Sequence, residues 1–147
     1  MDAKKPQRHT AQMARILVVD DNPSVRATIA LILQIDGHDA VLVENGRDGV
    51  RVLESQAVDL LIADVFMPEM DGFELIRFVQ NMKPGLPIIA ISGALLESNS
   101  RTGPDFLGMA EALGAVRTIR KPFKPSELRD AMRACLAEAS PGEGASP

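Results

Sequence analysis

Five short apolar runs punctuate the chain, at residues 16–19, 40–43, 60–63, 88–91 and 116–119, with helical patterns or turn-rich stretches between them. Runs this short, bounded by turn-forming residues, are strands, because a single helical turn cannot repay its own nucleation. Strands that alternate with helices pair in parallel, since a parallel neighbour is reached only through a crossover long enough to hold a helix. The runs are apolar almost without a break, so the sheet is expected to be covered on both faces. With 147 residues, the chain has enough for one such domain and too few for two. The pattern predicts an α/β fold, a doubly wound five-stranded parallel sheet flanked by five helices.

The helices are read from their stripes and ends. Asn22-Pro23 sets a capping side chain before a proline suited to the first turn; Val25, Ile29, Ile32 and Leu33 share a face, and Gly37 stops the helix. Val50, Leu53 and Ala57 give a second stripe, Leu75, Ile76 and Val79 a third. Leu128, Met132, Cys135 and Leu136 give the last, after Pro125. A fourth helix is expected within residues 104–113, with no clean stripe to fix its start. Residues 1–14 are polar and without period, and 140–147 are rich in turn formers. Flexible tails are expected on either side of a domain at 15–139.

Composition removes several classes. Hydrophobic residues at 46%, charged residues at 24% and a net charge of −4 allow a core and oppose the basic stripe of a nucleic-acid-binding domain. The longest apolar stretch, 86–96, is broken by Pro87, Ser92 and Gly93 and is far shorter than the ~20 residues a membrane span needs. The N-terminal stretch carries Asp2, Lys4, Lys5, Arg8 and Arg15 and no apolar secretion signal. The single cysteine, Cys135, can form neither an internal disulfide nor a cysteine-rich zinc site. A cytoplasmic protein without membrane or nucleic-acid contacts is the expectation.

In an open parallel sheet, ligand-binding groups gather at the carboxyl ends of the strands. Reading off those ends gives Asp20 and Asp21, Asp64, Ser92 and Lys121. Three carboxylates in one crevice repel one another and call for a bound cation. Oxygen donors favour a hard ion, and Mg²⁺ suits a site with few protein ligands that leaves coordination for a phosphate. A lysine and a serine beside it supply a point charge and a neutral donor for phosphoryl oxygens.

Leu-Val-Val-Asp20-Asp21, Asp64-Val-Phe-Met-Pro68-Glu-Met-Asp71-Gly72, Ile-Ser92-Gly and Lys121-Pro122-Phe123 resemble the receiver domain of two-component response regulators. The resemblance covers nearly everything from residue 14 to 139 and implies the flavodoxin-like fold of CheY-like, single-domain receivers. It implies that Asp64 is the phosphoacceptor, and that Asp20, Asp21, Asp64 and the main-chain carbonyl of Phe66 hold Mg²⁺. Ser92 matches the switch hydroxyl and Lys121 the phosphate-binding lysine, its bond to Pro122 being cis in that family. Such a domain is a signalling phosphoacceptor and not an enzyme in the ordinary sense. Its phosphoryl group comes from a sensor histidine kinase or phosphotransfer protein. Its output is a changed protein-binding face formed by the fourth helix, fifth strand and fifth helix, offered by a monomer or weak homodimer to a downstream protein target.

Three departures stand out. The switch position three residues before the lysine is aromatic in the family and is Thr118 here. The stretch between Ser92 and Lys121 is about two helical turns longer than usual, the excess lying in 94–103. The chain ends soon after its last helix, so no output domain is expected. Phe66 and Ala94 stand where the family flanks the path of attacking water, and neither can orient one, which implies slow loss of phosphate.

Other readings of the same residues are simpler. An Asp pair at a strand end commonly caps a helix, and Asp71-Gly72 reads as a cap and turn. Met67 and Met70 read as packing, Cys135 as a buried thiol, His9 and His38 as ordinary surface residues, and Lys4, Lys5 and Arg8 as a solvated tail. A pseudo-receiver, binding partners without phosphorylation, is the main alternative; Thr118 favours it and the intact acidic set opposes it. A Mg²⁺-dependent phosphatase would carry Asp-x-Asp on the first strand, where this chain has adjacent Asp20-Asp21.

Overall fold

The computed structural model describes residues 13–65, 72–92 and 117–144. Strands β1 (Arg15–Val19), β2 (Asp39–Val43), β3 (Leu60–Asp64), β4 (Ile88–Ser92) and β5 (Arg117–Arg120) form one sheet in the order β2-β1-β3-β4-β5, every pair parallel. This is the flavodoxin-like order, with the direction of winding reversing between β1 and β3. Helices α1 (Pro23–Ile35), α2 (Gly46–Ser55), α3 (Gly72–Met82) and α4 (Pro125–Gly144) follow β1, β2, β3 and β5. They are the helices among the described residues; the one expected within 104–113 lies outside them. No helix among the described residues is long and apolar enough to cross a membrane.

Successive side chains of a strand point to opposite faces, and here both faces are apolar. Ile16, Val18, Leu60, Ile62, Ile89 and Ile91 pack with Ile29, Ile32 and Leu33 of α1 and Leu128, Met132 and Cys135 of α4. Leu17, Val19, Leu61, Ala63, Ile88 and Ala90 pack on the other side with Leu53 of α2 and Leu75, Ile76 and Val79 of α3. Gly49 brings α2 close to the sheet, since a Cβ there would lie 3.0 Å from Val19 Cγ2. All five residues of β3 are buried, as are those of β4, so Asp64 sits at the end of a fully enclosed strand. The thiol of Cys135 is buried, in line with its place on the stripe.

Helix ends follow local chemistry. Asn22 Oδ1 accepts from the N–H groups of Ser24 and Val25, and Asn45 Oδ1 from that of Asp48. Gly37, at φ 84°, turns the chain out of α1 while His38 N–H and Gly37 N–H reach back to the carbonyls of Leu33 and Gln34. One expectation is corrected. Ala57 is exposed and lies beyond α2, because extended Gln56 has already turned the chain towards β3, where Asp59 N–H meets the Arg15 carbonyl. The last helix runs to Gly144. Ala14, just before β1, is buried and tied in at both its backbone groups.

The tie at Ala14 N–H corrects the reading of His38 as an ordinary surface residue. Its Nδ1 accepts from Ala14 N–H at 3.0 Å, which an imidazolium cannot do. Burial holds its pKa below 6.5, outweighing the opposite pull of the Asp36 and Asp59 carboxylates. The folded state therefore takes up this proton less readily than the unfolded chain. Its contribution is complete above 6.5 and is lost as pH falls from there through the depressed folded value. His38→Asn, whose amide oxygen can accept the same N–H, should lose less of its urea midpoint between about pH 7.5 and about pH 5 than the wild type. Equal losses would take His38 out of the pH dependence.

Candidate functional site

The direction of winding reverses between β1 and β3, and at such a point the carboxyl edge of a parallel sheet is where a ligand crevice is expected. Asp20 follows β1, Asp64 ends β3 and Ser92 ends β4, all three buried to within 4% of full enclosure. Lys121 follows β5, and its N–H donates to the Ser92 carbonyl at 2.6 Å, continuing the ladder past Arg120. The Lys121-Pro122 bond is cis, as the resemblance implies. Asp21 is exposed on the turn that leads into α1. Phe66 lies outside the described residues, as do Met67, Met70, Asp71 and Ala94.

The Lys121 ammonium stands 3.1 Å from Asp64 Oδ2 and 3.1 Å from Asp20 Oδ2. It donates a hydrogen bond to Asp64, whereas its approach to Asp20 is an ion pair outside hydrogen-bond geometry. Burial alone would lower the lysine pKa, but the charges of Asp64 and Asp20 outweigh it and hold the group above its ordinary value. It is a permanent cation. Asp20 is otherwise bound through its other atoms: Oδ1 accepts from Asn22 N–H at 2.9 Å and its carbonyl from Arg26 Nη1 at 2.7 Å. Buried Oδ2 is left with no hydrogen-bond donor.

That orphaned oxygen fits a metal site. One carboxylate oxygen each from Asp20, Asp21 and Asp64 lie within 4.8 Å of one another, near the ~4.2 Å that separates opposite ligands of a Mg²⁺ ion. Three carboxylates set against one ammonium leave a formal charge of −2, which a divalent cation neutralises. An all-oxygen set with two buried members and one exposed suits a hard ion that keeps solvent or phosphate ligands.

The sequence-predicted residues Asp20, Asp21, Asp64, Ser92 and Lys121 are thus gathered at one edge. Thr118 is apart from them, half-buried in β5, lining an open groove of about 630 Å³ together with Arg117, Arg120, Pro122, Glu127 and Asp130. Arg26 was not singled out by sequence reasoning. Its only signal is a basic residue in the first turn of a helix that starts at an acidic pair, which most often denotes a solvated side chain.

Removing Lys121 strands two buried carboxylates together. Lys121→Met should cost about 3 kcal/mol in urea unfolding with chelator present. Adding Asp64→Asn should recover much of that loss, and an additive double variant would mean that the ion pair carries no coupling.

Comparison with known proteins bears on the same residues. The response regulator receiver domain family matches residues 16–133. The response regulator MprA of Mycolicibacterium vanbaalenii is 34% identical over 131 residues, 89% of this chain and 54% of that protein. The transcriptional regulatory protein GlrR of Escherichia coli K12 is 32% identical over 130 residues, 87% of this chain and 27% of that protein. The chain thus spans about half or less of the length of these curated relatives. Among solved structures, chemotaxis protein CheY4 of Vibrio cholerae aligns with a TM-score of 0.72 at 29% identity, over 84% of this chain and 98% of its own. The family match runs from the first fully buried residue of β1 into the last helix and takes in every residue of the crevice; the chain belongs to the response regulator receiver domain family.

Proposed function

We propose that this domain is a phospho-accepting switch in which Asp64 takes a phosphoryl group from the phosphohistidine of a sensor kinase or phosphotransfer protein. The observation that carries the reading is the Lys121 ammonium 3.1 Å from Asp64 Oδ2, inside a crevice whose other carboxylates are already engaged or exposed. Asp20 is held through Oδ1 and its carbonyl, which suits a ligand; Asp64, ending the central strand, suits a nucleophile.

An Asp64 oxygen attacks phosphorus in line, the phosphorus–nitrogen bond breaks, and the imidazole leaves with the electron pair and takes up a proton. Lys121 stabilises charge on the phosphoryl oxygens throughout. Mg²⁺, held by Asp20, Asp21, Asp64 and the Phe66 carbonyl, supplies further neutralisation of those oxygens when bound. The Ser92 hydroxyl then donates to a phosphoryl oxygen, drawing the chain after β4 towards the site and altering the face around β5 and α4. Thr118 occupies the place of the switch aromatic on that face, so backbone and loop movement relays the signal in place of a turning ring. The domain accepts and passes on phosphate in the cytoplasm and turns over no other substrate.

Incubation with acetyl phosphate and Mg²⁺ should add the mass of one phosphoryl group to the wild type and none to Asp64→Asn. A labelled Asp64→Asn protein would overturn the choice of nucleophile. With Phe66 and Ala94 unable to orient water, Phe66→Asn combined with Ala94→Glu should speed phosphate loss about tenfold, ~1.4 kcal/mol of barrier. Equal decay of variant and wild type would remove these two positions from control of lifetime.

A further inference from the structure

We propose that Arg26 is a positioning residue for the Asp21 carboxylate, a role that rests on the reading of Asp20, Asp21 and Asp64 as a Mg²⁺ site. Asp21 is the exposed member of that cluster. No packing fixes the direction of an exposed turn residue, so the aim of its carboxylate depends on the two peptide planes that flank it. Both planes are pinned. The plane before Asp21 contains the Asp20 carbonyl, which accepts from Arg26 Nη1 at 2.7 Å. The plane after it contains Asn22 N–H, which donates to Asp20 Oδ1 at 2.9 Å.

Arg26 is itself anchored. Its N–H donates to the Asn22 carbonyl at 3.0 Å in the first turn of α1, where Asn22 Oδ1 caps Ser24 and Val25 at 2.8 and 3.3 Å. The Asp20 carbonyl lies one residue past the last register pairs of β1, Val19 with Val43 and Val19 with Ala63. There the ladder is ending, and a guanidinium reaching back from the helix supplies a charge-assisted bond. The seven residues from Asp20 to Arg26 thus form a closed set of hydrogen bonds around Asp21. The turn holds its carboxylate in the geometry that brings it within 4.8 Å of the oxygens of Asp20 and Asp64 before any metal arrives.

Charge alone predicts the opposite effect of removing Arg26. A guanidinium beside a cation site repels the cation, so its loss would tighten Mg²⁺ binding, whereas loss of positioning weakens it. The sign separates the two.

The test is the Mg²⁺ dissociation constant of the full chain by calorimetry, paired with urea unfolding in chelator. Arg26→Ala should bind Mg²⁺ about tenfold more weakly, and Arg26→Lys, which keeps a donor of similar reach, should return to within about twofold of the wild type. Should Arg26→Ala fail to fold, Arg26→Met, which keeps the apolar stem and lacks a donor, takes its place with the same expected loss. Wild-type or tighter affinity in the folded Ala or Met variant overturns the proposal, as does failure of Arg26→Lys to regain affinity. Absence of Mg²⁺ binding in the wild type overturns the metal site itself, a result separate from any difference among Arg26 variants.

Discussion

A single ammonium, that of Lys121, lets two carboxylates stay buried in one crevice, and the rest of the structure is arranged so that it can reach them. Asp20 and Asp64 come from adjacent strands, β1 and β3, while Lys121 arrives from the far edge of the sheet. The distance is closed because β4 and β5 carry Ser92 and Lys121 to the same edge in strict parallel register. Parallel pairing makes this possible: every strand ends on the same side, so polar groups that end strands converge without any loop having to reach. The apolar faces carry the opposite duty. With helices covering both, no charge is tolerated along the strands, and the ends are the only places where one can be kept.

The two edges of the sheet are built differently. At the amino edge, polar groups are used up in ties: Arg15 N–H to Asp59, Arg15 Nε to Asp39, Ala14 N–H to His38. Arg129 forks onto both oxygens of Asp36, fastening α4 to the end of α1. At the carboxyl edge one lysine faces two buried aspartates and a third aspartate is exposed, an imbalance that structural ties do not show. Excess negative charge kept in a buried place costs stability and signals a site made to receive something.

What the sequence disclosed follows the same division. The alternation of strands and helices, and the sorting of Ile16 and Val18 from Leu17 and Val19 onto opposite faces, is legible because a strand's period of two admits no other arrangement once both faces are apolar. Asp20, Asp64, Ser92 and Lys121 were legible because each stands at a strand end. Features set by the closing of the chain on itself were not. Ala57 fits the stripe of α2 by period, yet the return to β3 begins one residue after Ser55. His38 and Ala14 are 24 positions apart and meet only because β1 and β2 are neighbours. Arg26 looks like a solvated helix residue until the Asp20 carbonyl is found beside it.

On the proposed chemistry, the balance at Lys121 decides how the domain responds. In the unmodified state the ammonium is divided between Asp20 and Asp64, with its hydrogen bond given to Asp64. An acyl phosphate on Asp64 moves negative charge outward onto phosphoryl oxygens and increases it, so the one cation is drawn from the carboxylates towards the new group. The backbone of Lys121 is tied to Ser92, its N–H donating to the Ser92 carbonyl and linking β5 to the end of β4. On that side of the site β3 and β4 are fully buried, whereas β5 is an edge strand exposed at Arg117 and Arg120. On the proposed reading, a change of charge at the centre of the sheet would be passed to the β5 edge, where a partner protein could detect it.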